Sequence, residues 1–141
     1  MDIRPIDERI SVAPQITPAD IAELASQGYK TLVANRPDNE EPGQPSMSAL
    51  ETAAREHGLK WVYMPVDSSN ILDSDVDQFD DMIRNADTPV LAFCRSGTRC
   101  TVLWALSSAR YEPVNEIVEK ARHAGYDIGG LAPRMTQQSG S

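Results

Sequence analysis

The stretch Pro89-Val-Leu-Ala-Phe-Cys94-Arg-Ser-Gly-Thr-Arg99-Cys100, with the apolar run Val102-Leu-Trp-Ala-Leu106 behind it, decides the fold of this chain. Residues 90–93 form a short, wholly apolar segment, which is typical of a buried strand. Apolar residues between 102 and 109 then recur at helical spacing. The sequence therefore predicts a strand, a tight loop and a helix in direct succession.

The loop between this strand and this helix has the composition of an anion-binding site. Its backbone N–H groups are expected to point inward at the positive end of the helix, where they stabilise negative charge. A thiolate is such a charge, so we expect Cys94 to have a lowered pKa. Gly97 lets the backbone turn where a side chain would block the anion, and the planar fork of Arg99 binds two oxygens of a tetrahedral anion. A lone cysteine is usually a small core residue, but this combination favours a nucleophile in an anion cradle.

The other side chains of the loop leave alternatives open. Arg95, Ser96 and Thr98 complete the anion-binding loop, and Arg95 either recruits anionic substrates or remains in solvent. Cys100 lies six positions after Cys94. It is either a redox partner that forms a disulfide with Cys94 or inert packing in the helix.

Composition indicates one globular domain of 141 residues, which is long enough to form a core. The formal net charge of −8 disfavours nucleic acid and anionic membranes as partners. No apolar run approaches the length of a membrane span, and the N-terminus lacks the apolar region of a signal peptide, so we expect a cytoplasmic protein. Two cysteines without histidines at ligand spacing predict neither a disulfide framework nor a metal site, and we expect no cofactor.

Strand and helix signals alternate along the chain. Strands are predicted at residues 9–12 (at an edge), 31–34, 61–66 and 90–93, and helices begin at Thr17, Ser48, Asp73 and Val114 and behind Arg99. Helices between successive strands mean crossover connections and a mostly parallel sheet. We therefore predict a single α/β domain over residues 1–130, with a sheet of four to five strands and helices on both faces. Residues 131–141 are predicted to form a flexible C-terminal tail.

Three loops follow predicted strands and should meet at one edge of the sheet, because ligands bind outside the carboxyl ends of parallel strands. They are the Cys94 loop, residues 35–45 and residues 67–72. Residues 36–41 form either a rim over the pocket or an ordinary polar loop. The third loop begins with Asp67-Ser-Ser-Asn, which by itself is turn chemistry.

The number of residues in the Cys94 loop separates two enzyme families. Protein tyrosine and dual-specificity phosphatases have five residues between cysteine and arginine, whereas four residues separate Cys94 from Arg99. A Cys-Arg-x-Gly-x-Arg loop resembles the active loop of rhodaneses, in which the cysteine carries a sulfane sulfur as a persulfide. The smaller ring suits a sulfur atom better than a phosphoryl group.

Segments outside the loop resemble a different family. They are Val12-Ala-Pro-Gln-Ile16, Arg36-Pro-Asp38, Glu41-Pro-Gly-Gln-Pro45, Leu103-Trp-Ala-Leu106 and Gly125-Tyr-Asp127. Together with the loop, they make roughly residues 3–130 similar to the phosphatase-like domain of the beta-lactamase-hydrolase-like protein family. The resemblance implies a fold like that of the protein tyrosine and dual-specificity phosphatases. It also implies partners, because this domain occurs alone or fused to a persulfide dioxygenase or to a sulfide:quinone oxidoreductase-type flavoprotein.

The order of segments from Leu59 to Cys94 resembles the dual-specificity phosphatases in particular. In that fold an aspartate on the loop before the acid-rich helix protonates the leaving alkoxide. Asp67 occupies the corresponding place, so the resemblance implies a general acid at Asp67.

The loop length places sulfur transfer first among three functional hypotheses. A rhodanese-like sulfurtransferase would pass sulfane sulfur from thiosulfate or a low-molecular-weight persulfide through a Cys94 persulfide to a thiol or cyanide. The alternative is a phosphatase of the tyrosine or dual-specificity type, which works through a phosphocysteine at Cys94 with Arg99 holding the phosphoester and Asp67 as general acid. The third hypothesis is a non-catalytic module that binds an anion or a partner.

Overall fold

A computed structural model describes residues 1–139 of the chain, which form five strands, six α-helices and one 3₁₀ turn. The strands are β1 (Arg4–Pro5), β2 (Ile10–Ala13), β3 (Thr31–Ala34), β4 (Lys60–Tyr63) and β5 (Val90–Phe93). The helices are α1 (Pro18–Ser26), α2 (Met47–Glu56), α3 (Asp73–Asn85), α4 (Thr98–Ser108), α5 (Val114–His123) and α6 (Ala132–Ser139), and the 3₁₀ turn is Gly129–Leu131. Within residues 1–139, no helix is long and apolar enough to cross a membrane.

The five strands form one sheet in the order β1-β2-β5-β3-β4, in which β1 alone is antiparallel to its neighbour. This confirms the predicted α/β domain with a mostly parallel sheet. The prediction that the strand near residue 10 lies at an edge is wrong, because β1 pairs with its outer side. The parallel register aligns Ala13, Ala34 and Phe93 in one row. Because β2, β3 and β5 end together, their following loops meet at one edge of the sheet.

Helices cover both faces of the sheet, as the apolar strands require. On one face, α1 and α2 pack against the sheet through residues such as Leu24 and Leu50. On the other face, α3, α5 and α6 pack against α4. Phe79 of α3 and Leu103 of α4 are among the buried residues of this layer. The core therefore lies in two layers, and the loop before α4 emerges from the centre of the sheet.

Two helix starts differ from the sequence prediction by one or two residues. Helix α2 begins at Met47, because the hydroxyl of Ser46 accepts a hydrogen bond from the backbone N–H of Ala49 at 3.1 Å. Helix α3 has Leu72 as its cap, and the backbone N–H of Leu72 donates to the carboxylate of Asp75 at 2.8 Å. Neither shift moves the loops that meet at the carboxyl edge.

The segment predicted as a flexible tail from residue 131 is helical where the structure describes it. The side chain of Met135 in α6 is fully buried in the larger core layer. The guanidinium of Arg134 donates to the carbonyl of Ile71 at 2.7 Å and pairs with Asp73 at 3.1 Å. Among the described residues of α6, Met135 is the one that is buried, and a single apolar residue among polar ones gives no helical periodicity from which this packing could be predicted. The last two residues of the predicted tail lie outside the described residues.

The packing of α6 predicts a cost for truncating its anchor. Met135→Ala should lower the free energy of unfolding by about 2–4 kcal/mol, because it removes a fully buried side chain and leaves a cavity. Urea unfolding of the variant and the wild type measures this difference. Gln137→Ala, at an exposed position of the same helix, is the control and should change stability by less than about 0.5 kcal/mol. Equal, small effects of both substitutions would show that α6 is not docked.

Candidate active site

The loop from Cys94 to Gly97 connects the central strand β5 to the buried helix α4. Its backbone is fixed at both sides, since Cys94 N–H donates to Ala13 O and Gln15 N–H donates to Arg95 O, each at 3.3 Å. Gly97 has a φ of +89°, and a Cβ atom there would collide with the hydroxyl of Tyr126. The loop therefore needs glycine at position 97 for conformation and for space.

Tyr126 supports the loop from the segment that follows α5. Its hydroxyl donates to the carbonyl of Ser96 at 2.9 Å. On the other side of its ring, the guanidinium carbon of Arg4 lies 5.5 Å from the ring centroid, and Arg4 also donates to Ala124 O at 3.1 Å. The Cys94 loop thus contacts a tyrosine whose ring packs against Arg4 of β1.

The thiol of Cys94 is buried at the centre of converging donors. The backbone N–H of Gly97 donates to Cys94 Sγ at 3.1 Å. A hydrogen bond from the thiol of Cys100 lowers the pKa of Cys94 most, and the backbone N–H groups of Cys100, Ser96 and Arg99 lower it further. Against the opposing effect of burial, they bring this pKa to about 5. Cys94 is therefore a thiolate at neutral pH.

Cys100 lies in the first turn of α4 and acts here as a donor. Burial, and then the hydrogen bond with Cys94, raises the pKa of the Cys100 thiol well above its usual range. Cys100 thus keeps its proton and can donate it to the neighbouring thiolate. The structure has no disulfide between Cys94 and Cys100, and the redox role of Cys100 stays a prediction.

Arg99 is held in a fixed orientation by Glu40, which comes from the loop after β3. The two terminal nitrogens of the guanidinium donate to the two carboxylate oxygens of Glu40 at 2.8 and 2.7 Å, and one also donates to Val66 O at 3.2 Å. The hydrogen bonds from Arg99, together with that from Arg36, lower the pKa of Glu40 to about 2 despite partial burial. The bidentate pair places the guanidinium of Arg99 near the thiolate of Cys94. The hydrogen bond with Glu40 raises the pKa of Arg99 most, and the charge of Cys94 raises it further.

The pair of Arg99 and Glu40 is one end of a longer series that we call the charge ladder: Arg99, Glu40, Arg36, Glu41 and Arg95. Arg36, which is 2% exposed, donates to Glu40 at 2.8 Å, to Glu41 at 2.6 Å and to the side chain of Gln15 at 3.0 Å. Glu41 pairs in turn with Arg95 at 3.4 Å. Oppositely charged groups alternate along the charge ladder, which connects the buried Arg99 to the exposed Arg95.

Sequence reasoning missed Glu40 and Arg36 as contributors to the site. The structure places their segment in contact with the Cys94 loop, since Glu40 binds Arg99 and Glu41 pairs with Arg95. None of residues 36–41 is among those that line the pocket at that loop, so their role as a rim stays a prediction. An arginine directly after a buried strand and two acids a few residues later were the available signal. That signal carries no information about the partner, because Glu40 and Arg99 are 59 positions apart.

A pocket of about 230 Å³ opens above the Cys94 loop. Its lining residues are Ser68, Ile71, Arg95, Ser96, Thr98, Arg99 and Val102. A larger cavity of about 650 Å³ contains none of the loop residues and is lined in part by Arg9, Asp80 and Lys120. We take the smaller pocket as the candidate active site because Arg95, Ser96, Thr98 and Arg99 of the Cys94 loop line it, although the buried Cys94 itself is not among its lining residues. The described residues include no group of three or more His, Cys, Asp or Glu side chains placed to hold a metal ion.

Asp67 lies beside this pocket but is not among the residues that line it. Its carboxylate accepts hydrogen bonds from the backbone N–H of Ser69 at 2.9 Å and from the Ser69 hydroxyl at 2.8 Å. These two bonds lower the pKa of Asp67, and the charge of Arg99 lowers it further. In the absence of ligand, Asp67 is thus an exposed, ionised side chain at the rim of the site.

Comparison with known proteins links this geometry to one family. Residues 2–111 match the family model for the phosphatase-like domain of beta-lactamase hydrolase-like protein. The chain is 32% identical over 136 residues to a beta-lactamase hydrolase-like protein of Agrobacterium fabrum, a match that covers 95% of the chain and 32% of that protein. A protein of the same description from Xylella fastidiosa is 34% identical over 141 residues, covering 99% of the chain and 33% of that protein. The chain thus spans about a third of the length of these curated relatives.

Solved structures show the same fold over the whole chain. A candidate phosphatase from Neisseria meningitidis superposes with a TM-score of 0.87 at 36% identity, covering 98% of this chain and 99% of that one. Tk-PTP in its active form superposes with a TM-score of 0.69 at 16% identity, covering 98% and 95%. These structures confirm the predicted protein-tyrosine-phosphatase-like fold, and the family match agrees with the resemblance inferred from the sequence.

The predicted enzyme class, a sulfurtransferase, is wrong, because the family and the structural neighbours are phosphatases or phosphatase-like proteins. That prediction depended on the number of residues between Cys94 and Arg99. The count also leaves out the start of α4 at Thr98, because hydrogen bonds from the backbone N–H groups of Arg99 and Cys100 help to lower the pKa of Cys94.

The environment of Cys94 predicts alkylation at unusually low pH. The rate of its reaction with iodoacetamide should rise with a midpoint near pH 5, whereas an ordinary cysteine shows a midpoint of about 8.5. Mass spectrometry of digested protein measures the rate, with the buried and protonated Cys100 as an unreactive internal reference. Cys100→Ala should move the midpoint upward by removing the donor, and Cys100→Ser, which keeps a donor, should move it less. A wild-type midpoint near 8.5 would contradict the thiolate assignment.

The lowered pKa of Glu40 predicts a pH-dependent contribution to stability. The pKa in the folded chain is about 2, below the ordinary value of 4.5. The unfolded chain therefore binds more protons between these values, and the stabilisation is present above pH 4.5 and is lost as the pH falls toward 2. Glu40→Gln should lower the urea midpoint near neutral pH, by an amount that shrinks in this acid range.

Glu51→Gln is the matched control for this measurement, because Glu51 pairs with Arg55 on the exposed face of α2. A surface pair contributes at most about 1 kcal/mol, so its effect should be small at every pH. A difference between Glu40→Gln and the wild type that does not change with pH would refute the linkage.

Proposed function

This chain belongs to the family of the phosphatase-like domain of beta-lactamase hydrolase-like proteins, and on that premise we propose that it is a cysteine-dependent phosphatase. The substrate is a phosphoric monoester, and the reaction passes through a phosphocysteine at Cys94. The observation that carries the proposal is the buried thiolate of Cys94, with a pKa of about 5, at the centre of converging backbone N–H groups. A nucleophile that is ionised at neutral pH and lies inside an anion-binding ring is suited to attack a phosphoryl group.

In the first step the thiolate of Cys94 attacks phosphorus in line with the ester oxygen. The S–P bond forms as the P–O bond breaks, and the electron pair of that bond leaves on the ester oxygen. The loop N–H groups and the guanidinium of Arg99 bind the three remaining phosphoryl oxygens, where charge is spread in the transition state. Glu40 acts as a positioning residue, since it fixes the plane of the Arg99 guanidinium by two hydrogen bonds.

The leaving oxygen needs a proton when its alcohol is weakly acidic, and we assign this role to Asp67. Its carboxyl is ionised in the unliganded protein because Ser69 and Arg99 lower its pKa. A bound phosphoryl dianion raises the pKa of a neighbouring carboxyl through like-charge repulsion. The bound substrate would therefore favour protonation of Asp67, and that proton is the one that the leaving alcohol needs.

Water completes the cycle by hydrolysing the phosphocysteine. Asp67, ionised after the first step, accepts a proton from the attacking water as the O–P bond forms. The S–P bond breaks, and its electron pair returns to Cys94 as the thiolate. Inorganic phosphate leaves, so the reaction consumes one water molecule and needs no other reactant.

Phosphate release from two aryl esters tests this proposal. The wild type should hydrolyse both 4-nitrophenyl phosphate and phenyl phosphate, and Cys94→Ser should lose at least about a thousandfold in kcat on both. Asp67→Asn should lose about a hundredfold on phenyl phosphate and much less on 4-nitrophenyl phosphate, whose leaving group needs no proton. Asp87→Asn is the matched control, because Asp87 pairs with Lys60 at the opposite edge of the sheet.

Two outcomes would overturn the assignment. Phosphate release that survives in Cys94→Ser would exclude a phosphocysteine. A wild type that binds inorganic phosphate but releases none from either ester would support the non-catalytic anion-binding module instead.

A further inference from the structure

The charge ladder ends in solvent at Arg95, whose contact with the ladder is weak. Its three arginines share two glutamates, and the glutamates are not shared equally. Glu40 receives two hydrogen bonds from Arg99 and one from Arg36, and Glu41 receives a short one of 2.6 Å from Arg36. The contact of Glu41 with Arg95, at 3.4 Å, is the longest in the ladder. Among the described residues it is the one ion pair that Arg95 makes.

Arg95 combines a fixed backbone with an exposed guanidinium. Its carbonyl accepts the backbone N–H of Gln15 at 3.3 Å, and it directly follows the nucleophile Cys94. Its side chain is 67% exposed, whereas the side chain of Arg99 is 6% exposed. Both arginines line the same pocket. A substrate whose phosphoryl group occupies the Cys94 loop would therefore extend past the guanidinium of Arg95.

The two arginines are suited to two different anions. Arg99 is buried, held in one plane by Glu40 and placed beside the thiolate, which suits it to the phosphoryl group that reacts. Arg95 is much more exposed than Arg99 and is not held by Glu40, so it is free to bind a second anionic group at the same pocket. Exchange of the long contact with Glu41 for a contact with a ligand needs only a rotation of its exposed side chain, and a guanidinium binds carboxylate and phosphate oxygens in the same bidentate manner.

We propose that the substrate of this phosphatase is a bis-anionic phosphoric monoester, with a second phosphate or carboxylate group near the scissile phosphoryl, and that Arg95 binds this second anion. The inference rests on the proposed phosphatase function and names its substrate class. Arg95, at the exposed end of the charge ladder, then selects the substrate, and Arg99, at its buried end, binds the phosphoryl group that is transferred. The short apolar wall formed by Ile71 and Val102 contacts the carbon framework between the two anionic groups.

Three aryl phosphates of similar size test this inference. They are 3-carbamoylphenyl phosphate, with a neutral amide, 3-carboxyphenyl phosphate, with a carboxylate in its place, and 1,3-phenylene bisphosphate. The readout is the ratio of kcat/KM for each bis-anionic ester to that for the neutral amide, so that any general effect on turnover cancels. We expect a ratio of about ten or more in the wild type, as for a hydrogen bond between charged groups. The larger of the two ratios identifies carboxylate or phosphate as the preferred second anion.

Variants assign this preference to Arg95. Arg95→Gln should reduce the ratio to about one, and Arg95→Lys should retain part of it, because lysine keeps the charge but not the planar fork. Glu41→Gln should raise the ratio, since it removes the competing carboxylate. Arg55→Gln, on the exposed face of α2, is the matched control and should leave the ratio unchanged.

The outcomes separate failure of this inference from failure of the phosphatase proposal. A ratio near or below one, with turnover of all three esters that depends on Cys94, would refute the bis-anionic substrate while supporting the phosphatase. A high ratio that survives in Arg95→Gln would refute the role of Arg95. If none of the three esters is turned over in a Cys94-dependent manner, the phosphatase proposal and this inference are both wrong.

Discussion

A negative charge on a buried sulfur atom is the constraint on which this structure depends. Cys94 is 1% exposed, and burial by itself would favour the neutral thiol. The folded chain opposes this effect of burial with hydrogen-bond donors, which are the Cys100 thiol and the backbone N–H groups of Ser96, Gly97, Arg99 and Cys100. These donors converge only if a left-handed residue at Gly97 turns the chain directly into a helix. The fold holds the turn at Gly97 in place because the strand before it, β5, is central in the sheet and the helix after it, α4, is buried.

The charge ladder solves a second problem of buried charge. A guanidinium as buried as that of Arg36 is costly unless its hydrogen bonds are satisfied, and each of its three nitrogens has an acceptor on Glu40, Glu41 or Gln15. These partners belong to the loops that follow β2 and β3, and Glu40 reaches across to Arg99 on α4. One buried side chain therefore connects the three loops of the carboxyl edge. The position of Arg99 is a property of the whole edge rather than of the Cys94 loop.

Local sequence patterns predicted those features that local interactions determine. The strand from Val90 to Phe93 and the turn at Gly97 follow from short-range preferences, and both appear where expected. The partnership of Glu40 with Arg99 depends on the path of the intervening chain, which no local pattern encodes. The docking of α6 depends on a space that the other helices leave for Met135. The predicted enzyme class was wrong because it depended on the number of residues between Cys94 and Arg99, whereas the similarity of the whole chain is to phosphatase-like proteins.

The hydroxyl of Tyr126 has a consequence for when the site forms. It reaches back to the carbonyl of Ser96, and the ring is flanked by Arg4 from the first strand. During synthesis Cys94 and its N–H donors are made well before residue 126 leaves the ribosome. A nascent chain that ends before residue 126 has these groups but lacks the side chain that the turn at Gly97 contacts. The Cys94 loop therefore gains this support only after residue 126 has been translated.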